Sequence, residues 1–82
     1  MQSKFDLVIF GATGFTGQLA THYLLSHKVN NDLRIAIAGR DVQKLNALKE
    51  SCTLKPAVII ADSTDPETIE AMVKQAKVVV SF

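Results

Sequence analysis

Little in this sequence can cross-link, anchor or grip a metal. Its 82 residues hold one cysteine, Cys52, which excludes an intrachain disulfide and a cysteine-built metal cluster. The thiol reads as reduced and as lying near the end of a helix. Charge of one sign is also missing: nine Lys and Arg face eight Asp and Glu, a formal +1, so neither a nucleic-acid surface nor an acidic tail is indicated. The longest apolar runs, such as Ala57 to Ala61, fall far short of the roughly 18 residues of a membrane span. One lysine, Lys4, precedes an apolar stretch that Asp6 and Gly11 interrupt, which is not the layout of a secretory signal. There is no repeat, low-complexity tract or linker. A soluble, intracellular, cytoplasmic chain is expected.

What is present begins at Val8 to Gly17, VIFGATGFTG. The apolar run Phe5 to Phe10 ends in glycines spaced by three, Gly11, Gly14 and Gly17, and passes directly into a helical pattern. A strand, a tight turn and a helix in that order suit the binding of a pyrophosphate. Gly11 takes backbone angles that a β-carbon forbids, Gly14 lets the main chain approach phosphates, and Gly17 lets the helix pack close to the strand. The free N–H groups and positive dipole end of the helix then face the anion. The usual dinucleotide fingerprint is GxGxxG, whereas this turn is GxxGxxG. A loop before a helix with a small face gives the same letters, and it is the βαβ context that favours a nucleotide. A dinucleotide-binding domain usually has about 100 to 150 residues or more, so residues 1–82 read as part of one.

Strand and helix signals alternate along the whole chain. Phe5 to Phe10 predicts a first strand buried on both faces. A helix follows from about Phe15 to Ser26, with Leu19, Ala20, Tyr23 and Leu24 as its stripe, His27 and Lys28 at its C-terminal end, and a polar turn at Val29 to Asp32. Leu33 to Ala38 is the second strand. Asp41 then caps a helix facing inward through Val42, Leu45 and Leu48. Pro56 closes a loop before the third strand, Ala57 to Ala61. The third helix is capped either by Asp65 with Pro66 at its first position, or by Thr64 with Glu67 completing a capping box. Ile69, Met72, Val73 and Ala76 form its stripe, and Val78 to Val80 open a fourth strand. Right-handed crossovers give a parallel α/β sheet in the order 3-2-1-4, the first half of a doubly wound fold, with ligand over the C-terminal strand ends. The fourth strand is expected to leave an open edge that invites self-association or marginal stability.

Candidate binding residues follow from that edge. Thr13 lies in the turn, and Phe15 and Thr16 offer an amide and a hydroxyl to phosphates. At the end of the second strand an NAD site places Asp or Glu against the 2′-hydroxyl, whereas here Gly39 and Arg40 stand, which favours NADP(H). An arginine just before a helix start is poorly placed against the dipole unless an anion is there too. Lys44 adds a second positive charge or is simply an exposed helix lysine. Asp62 and Ser63 either meet the adenine or satisfy backbone donors before the third helix. Ser81 and Phe82 are expected toward the nicotinamide end. No catalytic residue is visible. His22 and His27, five apart, share no face for a metal and read as partly exposed helix residues. Tyr23 has Lys28 at a gap of five, so the TyrxxxLys pair of short-chain dehydrogenases is absent, and Tyr23 reads as core.

The chain resembles the N-terminal NADP-binding segment of the saccharopine dehydrogenase-like oxidoreductases, a family that includes the trans-acting enoyl reductases. The resemblance rests on VIFGATGFTG at Val8 to Gly17, IAIAGRD followed by LysLeu at Ile35 to Leu45, and ADSTDPETI at Ala61 to Ile69. It implies a Rossmann-type domain, here truncated after four strands and three helices. It also implies a parent oxidoreductase that continues into a substrate domain and acts on a small-molecule or lipid-type substrate. The chain alone is expected to be inactive. A non-catalytic NADP-sensing module related to atypical short-chain dehydrogenases, and a structural fragment that binds nothing, are the alternatives.

Overall fold

The computed structural model describes residues 3–26 and 32–82. Strands β1 (Phe5–Phe10), β2 (Ile35–Gly39), β3 (Ala57–Ile60) and β4 (Ala76–Ser81) alternate with helices α1 (Phe15–Leu24), α2 (Val42–Ser51) and α3 (Pro66–Lys74). All strand pairings are parallel, in the order β3-β2-β1-β4. This is the expected topology. It places the C-terminal ends of all four strands on one edge of the sheet, with the N-termini of the helices above it.

The side-chain alternation of the strands splits the core into two layers. Ile9 and Ile37 point to one face, where they pack with Ala12, Leu25, Leu45, Leu48 and Cys52. Val8, Ala36 and Ala38 point to the other and pack with Ala61 and Met72. Val8 and Ile9 are both fully buried, so β1 is covered on both faces as its unbroken apolar run requires. Each such branched side chain contributes about 1.5–3 kcal/mol of transfer free energy. Cys52 is a buried free thiol following α2, and desolvation raises its pKa.

The helix faces differ from the periodicity. Leu19 and Tyr23 are exposed on α1, Val42 on α2 and Val73 on α3. The side of α1 that meets the sheet is built instead on Gly17 and Thr21, small residues that let the helix axis come close. Thr21 satisfies its buried hydroxyl by donating to the Gly17 carbonyl at 2.7 Å, the local bond that makes a threonine acceptable there. Tyr23 is therefore not a core residue. Ala76 begins β4 rather than ending α3, β2 begins at Ile35 rather than Leu33, and α1 stops at Leu24, two residues early. Asp65 is the residue that caps α3, accepting from the Glu67 amide, with Pro66 following it. His22 is exposed and its Nε2 lies 2.7 Å from Ser51 Oγ, linking α1 to α2. His27, Lys28 and most of the Val29 to Asp32 turn lie outside the described residues.

At the edge opposite the helix N-termini, one carboxylate of β1 is tied to β4 and to the residue just before β2. Asp6 of β1 accepts from the Arg34 backbone N–H at 2.9 Å and from Arg34 Nη2 at 3.2 Å, and Lys77 Nζ of β4 lies 3.4 Å away. The Arg34 guanidinium, its amide and the Lys77 ammonium hold the Asp6 carboxyl well below the usual carboxylate range. A depressed native pKa stabilises the fold above the unfolded-state value near 4, and the contribution fades as pH falls through the native value. Asp6→Asn is accordingly expected to lower the thermal midpoint at neutral pH, and the gap from the parent should narrow steadily in acid. A gap that stays constant down to strongly acidic pH would show that the Asp6 charge contributes nothing.

Candidate functional site

The turn after β1 is set by backbone contacts that leave no space for a side chain at Gly11 or Gly17. Gly11 has φ +78°, in the left-handed region that favours glycine. Its amide donates to the Ala38 carbonyl at 3.0 Å, and the Gly14 amide donates to the Gly11 carbonyl at 3.2 Å. A β-carbon on Gly11 would stand 2.7 Å from the Phe82 carbonyl oxygen, and one on Gly17 would collide with the Gly11 carbonyl oxygen and lie 2.9 Å from Ala12 Cα. Gly14 is different. A β-carbon there meets only the Gly11 oxygen at 3.5 Å, so its exposed surface is open to an approaching group.

The three helix starts are electrostatically unequal. Asp41 accepts from the amides of Gln43 and Lys44 at 3.0 and 3.1 Å, and Asp65 from Glu67 at 3.1 Å. Helix α1 begins at Gly14 with no side-chain cap and no acid in its first turn. Its first amides, on Phe15, Thr16 and Gly17, keep the positive potential that a carboxylate neutralises on the other two helices. Phe15 and Thr16 are exposed, whereas Gly17 is buried. Gln18 braces the turn by donating Nε2–H to the Thr13 carbonyl at 2.7 Å. Nothing in the sequence pattern marked Gln18, because its role depends on a fold-specific meeting five residues apart.

Beside this turn a cleft of about 190 Å³ gathers Gly11, Thr13, Arg40, Asp62 and Ser63, with Phe10, Gly39 and Ala61 completing its walls. Five candidates far apart in sequence thus share one space. Lys44 does not line it. It lines a neighbouring cavity of about 360 Å³ between α1 and α2, with Thr13 as the ridge between the two. The Arg40 side chain makes no salt bridge among the described residues. Asp62 Oδ1 accepts from the Thr64 amide at 2.9 Å and the Thr64 hydroxyl at 2.8 Å. Those bonds lower its pKa first and the Arg40 charge lowers it further, so Asp62 is ionised at neutral pH. The backbone-satisfying reading of Asp62 is met at Oδ1, and the residue also lines the cleft. The loop is held by Thr68, whose hydroxyl accepts from the Asp62 amide at 2.9 Å and donates to the Asp65 carbonyl at 2.8 Å. Ser81 pairs with Phe10, and the Phe82 amide donates to the Phe10 carbonyl at 3.1 Å, which brings the end of β4 against the glycine turn.

Residues 7–82 match the saccharopine dehydrogenase NADP binding domain, and the chain belongs to that family. It is 43% identical to the "Putative trans-acting enoyl reductase" of Mycobacterium tuberculosis over 95% of this chain and 19% of that protein. It is 36% identical to the lipid droplet localized protein of Caenorhabditis elegans, over 96% of this chain and 20% of that protein. With the trans-acting enoyl reductase of Mycobacterium ulcerans the identity is 36%, over 98% of this chain and 19% of that protein. The chain therefore spans about a fifth of the length of these relatives. Among the described residues, no helix is long and apolar enough to cross a membrane.

The contacts divide the glycines by function. Gly17→Ala forces backbone atoms apart and should cost about 1–3 kcal/mol, even though alanine is the better helix former by about 1 kcal/mol. Gly14→Ala should change stability by under about 1 kcal/mol. Thermal or urea unfolding of both variants measures the difference, and a Gly17→Ala protein as stable as the parent would remove Gly17 from the fold-determining contacts.

Proposed function

We propose that this NADP-binding segment holds the adenosine and pyrophosphate half of NADP(H), with the anion at the start of α1 and the 2′-phosphate beside Arg40. The uncapped α1 terminus carries the reading: among the described residues, it alone of the helices that start on this edge lacks a side-chain cap. A pyrophosphate suits it through amide donors, the dipole and the open surface at Gly14. Thr13, Phe15 and Thr16 supply turn contacts, Gly11 and Gly17 hold the turn's shape, and Asp62 and Ser63 face the adenosine from the far wall of the cleft. Lys44 approaches the 2′-phosphate from the other side of Thr13.

When bound, the nicotinamide supplies the hydride. This chain's own residues bind and orient, and no acid or base is assigned to them. Residues 1–82 are read as part of a Rossmann-type domain, and the likeness to proteins named enoyl reductases supports a longer protein that reduces an enoyl substrate of small-molecule or lipid type. The unpaired outer edge of β4 supports a second partner, another copy of the chain.

Arg40→Ala tests the specificity. A hydrogen bond to a charged group contributes about 1.5–3 kcal/mol, so NADP affinity should fall roughly ten- to a hundredfold, while NAD, which has no 2′-phosphate, is nearly unaffected. Titration calorimetry with both cofactors measures it. Equal losses for NADP and NAD would reassign Arg40 to the fold, and tighter NAD than NADP binding by the parent would overturn the reading.

A further inference from the structure

One side chain holds the glycine turn from behind. Gln18, exposed at the fourth position of α1, reaches two successive carbonyls. Its backbone amide donates to the Gly14 carbonyl at 2.8 Å, and its side-chain Nε2 donates to the Thr13 carbonyl at 2.7 Å. Because the second partner is a carbonyl oxygen, only the NH2 end of the side-chain amide can face it. A trans peptide points its C=O and N–H in opposite directions, so each of these bonds also aims an amide. Fixing the Gly14 carbonyl turns the Phe15 N–H out from the helix start. Fixing the Thr13 carbonyl turns the Gly14 N–H onto the Gly11 carbonyl, at 3.2 Å.

The Thr13–Gly14 plane is the one that needs holding. Gly14 has φ −70° and ψ 167°, and a residue without a β-carbon accepts φ of either sign. Even a β-carbon there would meet only one oxygen, at 3.5 Å, so the plane meets little steric resistance to turning. The Gly14–Gly11 bond pins it on one side and Gln18 pins it on the other. Turning it would break the bond that closes the turn and tilt the amides that follow. Gln18 lines the cavity between α1 and α2 and not the cleft that gathers Arg40 and Asp62, so it acts from the far side of Thr13.

We propose that Gln18 is a positioning residue for the cofactor's pyrophosphate: through Thr13 it fixes the peptide planes whose amides receive the anion, without touching the anion itself. The inference rests on the reading of the α1 start as the pyrophosphate site.

The test compares the unmodified chain with Gln18→Met, which keeps the length of the side chain and removes the donor. NADP and NAD are titrated by calorimetry. Adenosine 2′-monophosphate, which carries the 2′-phosphate and no pyrophosphate, is titrated by NMR. Affinity for NADP and for NAD should fall by the same factor, about three- to tenfold, while adenosine 2′-monophosphate binds both proteins alike. Without ligand, the Gly14 amide should exchange with solvent faster in the variant, and the thermal midpoint should stay within about 4 °C of the parent. Gln18→Glu, of the same shape and with no donor when ionised, should lose at least as much dinucleotide affinity, and it decides if Gln18→Met fails to fold. Unchanged dinucleotide binding in the variants, an unchanged Gly14 exchange rate, or an equal loss of adenosine 2′-monophosphate overturns the inference and leaves the cofactor reading standing. A parent chain that binds neither dinucleotide overturns the cofactor reading and this inference with it.

Discussion

The backbone contact between Gly17 and the Gly11–Ala12 segment governs the rest of the structure. Because no β-carbon fits there, the first turn of α1 lies against the end of β1. That closeness buries Thr21, sends Leu25 into the layer of Ile9 and Ile37, and leaves the helix's first amides at the sheet edge. A larger residue at 17 would lift the helix, and both effects would be lost together. The packing of α1 and the position of its uncapped first amides are therefore consequences of one steric fact, which is why a glycine rather than a good helix former stands inside the helix.

Electrostatics then separates the two ends of the sheet. At the lower edge, Asp6, Arg34 and Lys77 neutralise one another and tie β1, β4 and the start of β2 together. At the edge where the helices start, Asp41 and Asp65 neutralise the α2 and α3 termini, and among the described residues the α1 terminus and the Arg40 guanidinium have no compensating carboxylate bond. Asp62, the nearest acid in the cleft, has one oxygen committed to Thr64. The chain's net charge is only +1, so the attraction proposed for a dinucleotide rests on local arrangement and not on overall charge.

Strand order, crossover positions and the shared cleft were legible in the sequence because they depend on long apolar runs, glycine spacing and the right-handed crossover rule. The helix faces were less legible. Leu19, Tyr23, Val42 and Val73 fit a helical stripe as well as the buried residues do, but short helices on a four-stranded sheet have only a narrow line of contact. On α1 that line is held by Gly17 and Thr21, residues that a hydrophobicity pattern does not select. The bracing bonds from Gln18 and Thr68 were invisible for a related reason: each joins a side chain to a carbonyl or amide whose position only the folded turn defines.

The glycines give the strongest argument that the upper edge is shaped by something outside the chain. Gly11 and Gly17 are demanded internally, by a positive φ and by backbone contacts. Gly14 and Gly39 are not. A β-carbon on Gly39 would meet only the Leu45 side chain, at 3.7 Å or more, and one on Gly14 only a single oxygen at 3.5 Å. Glycine in the middle of a sheet weakens a strand, because it gives up packing and backbone entropy. Gly39 nevertheless closes β2 beside Arg40, as part of the cleft wall, and Gly14 lies at the bare start of α1. The proposed dinucleotide accounts for Gly14, where the protein's own atoms leave room for a ligand, whereas the side of Gly39 on which a β-carbon would stand is already covered by Leu45.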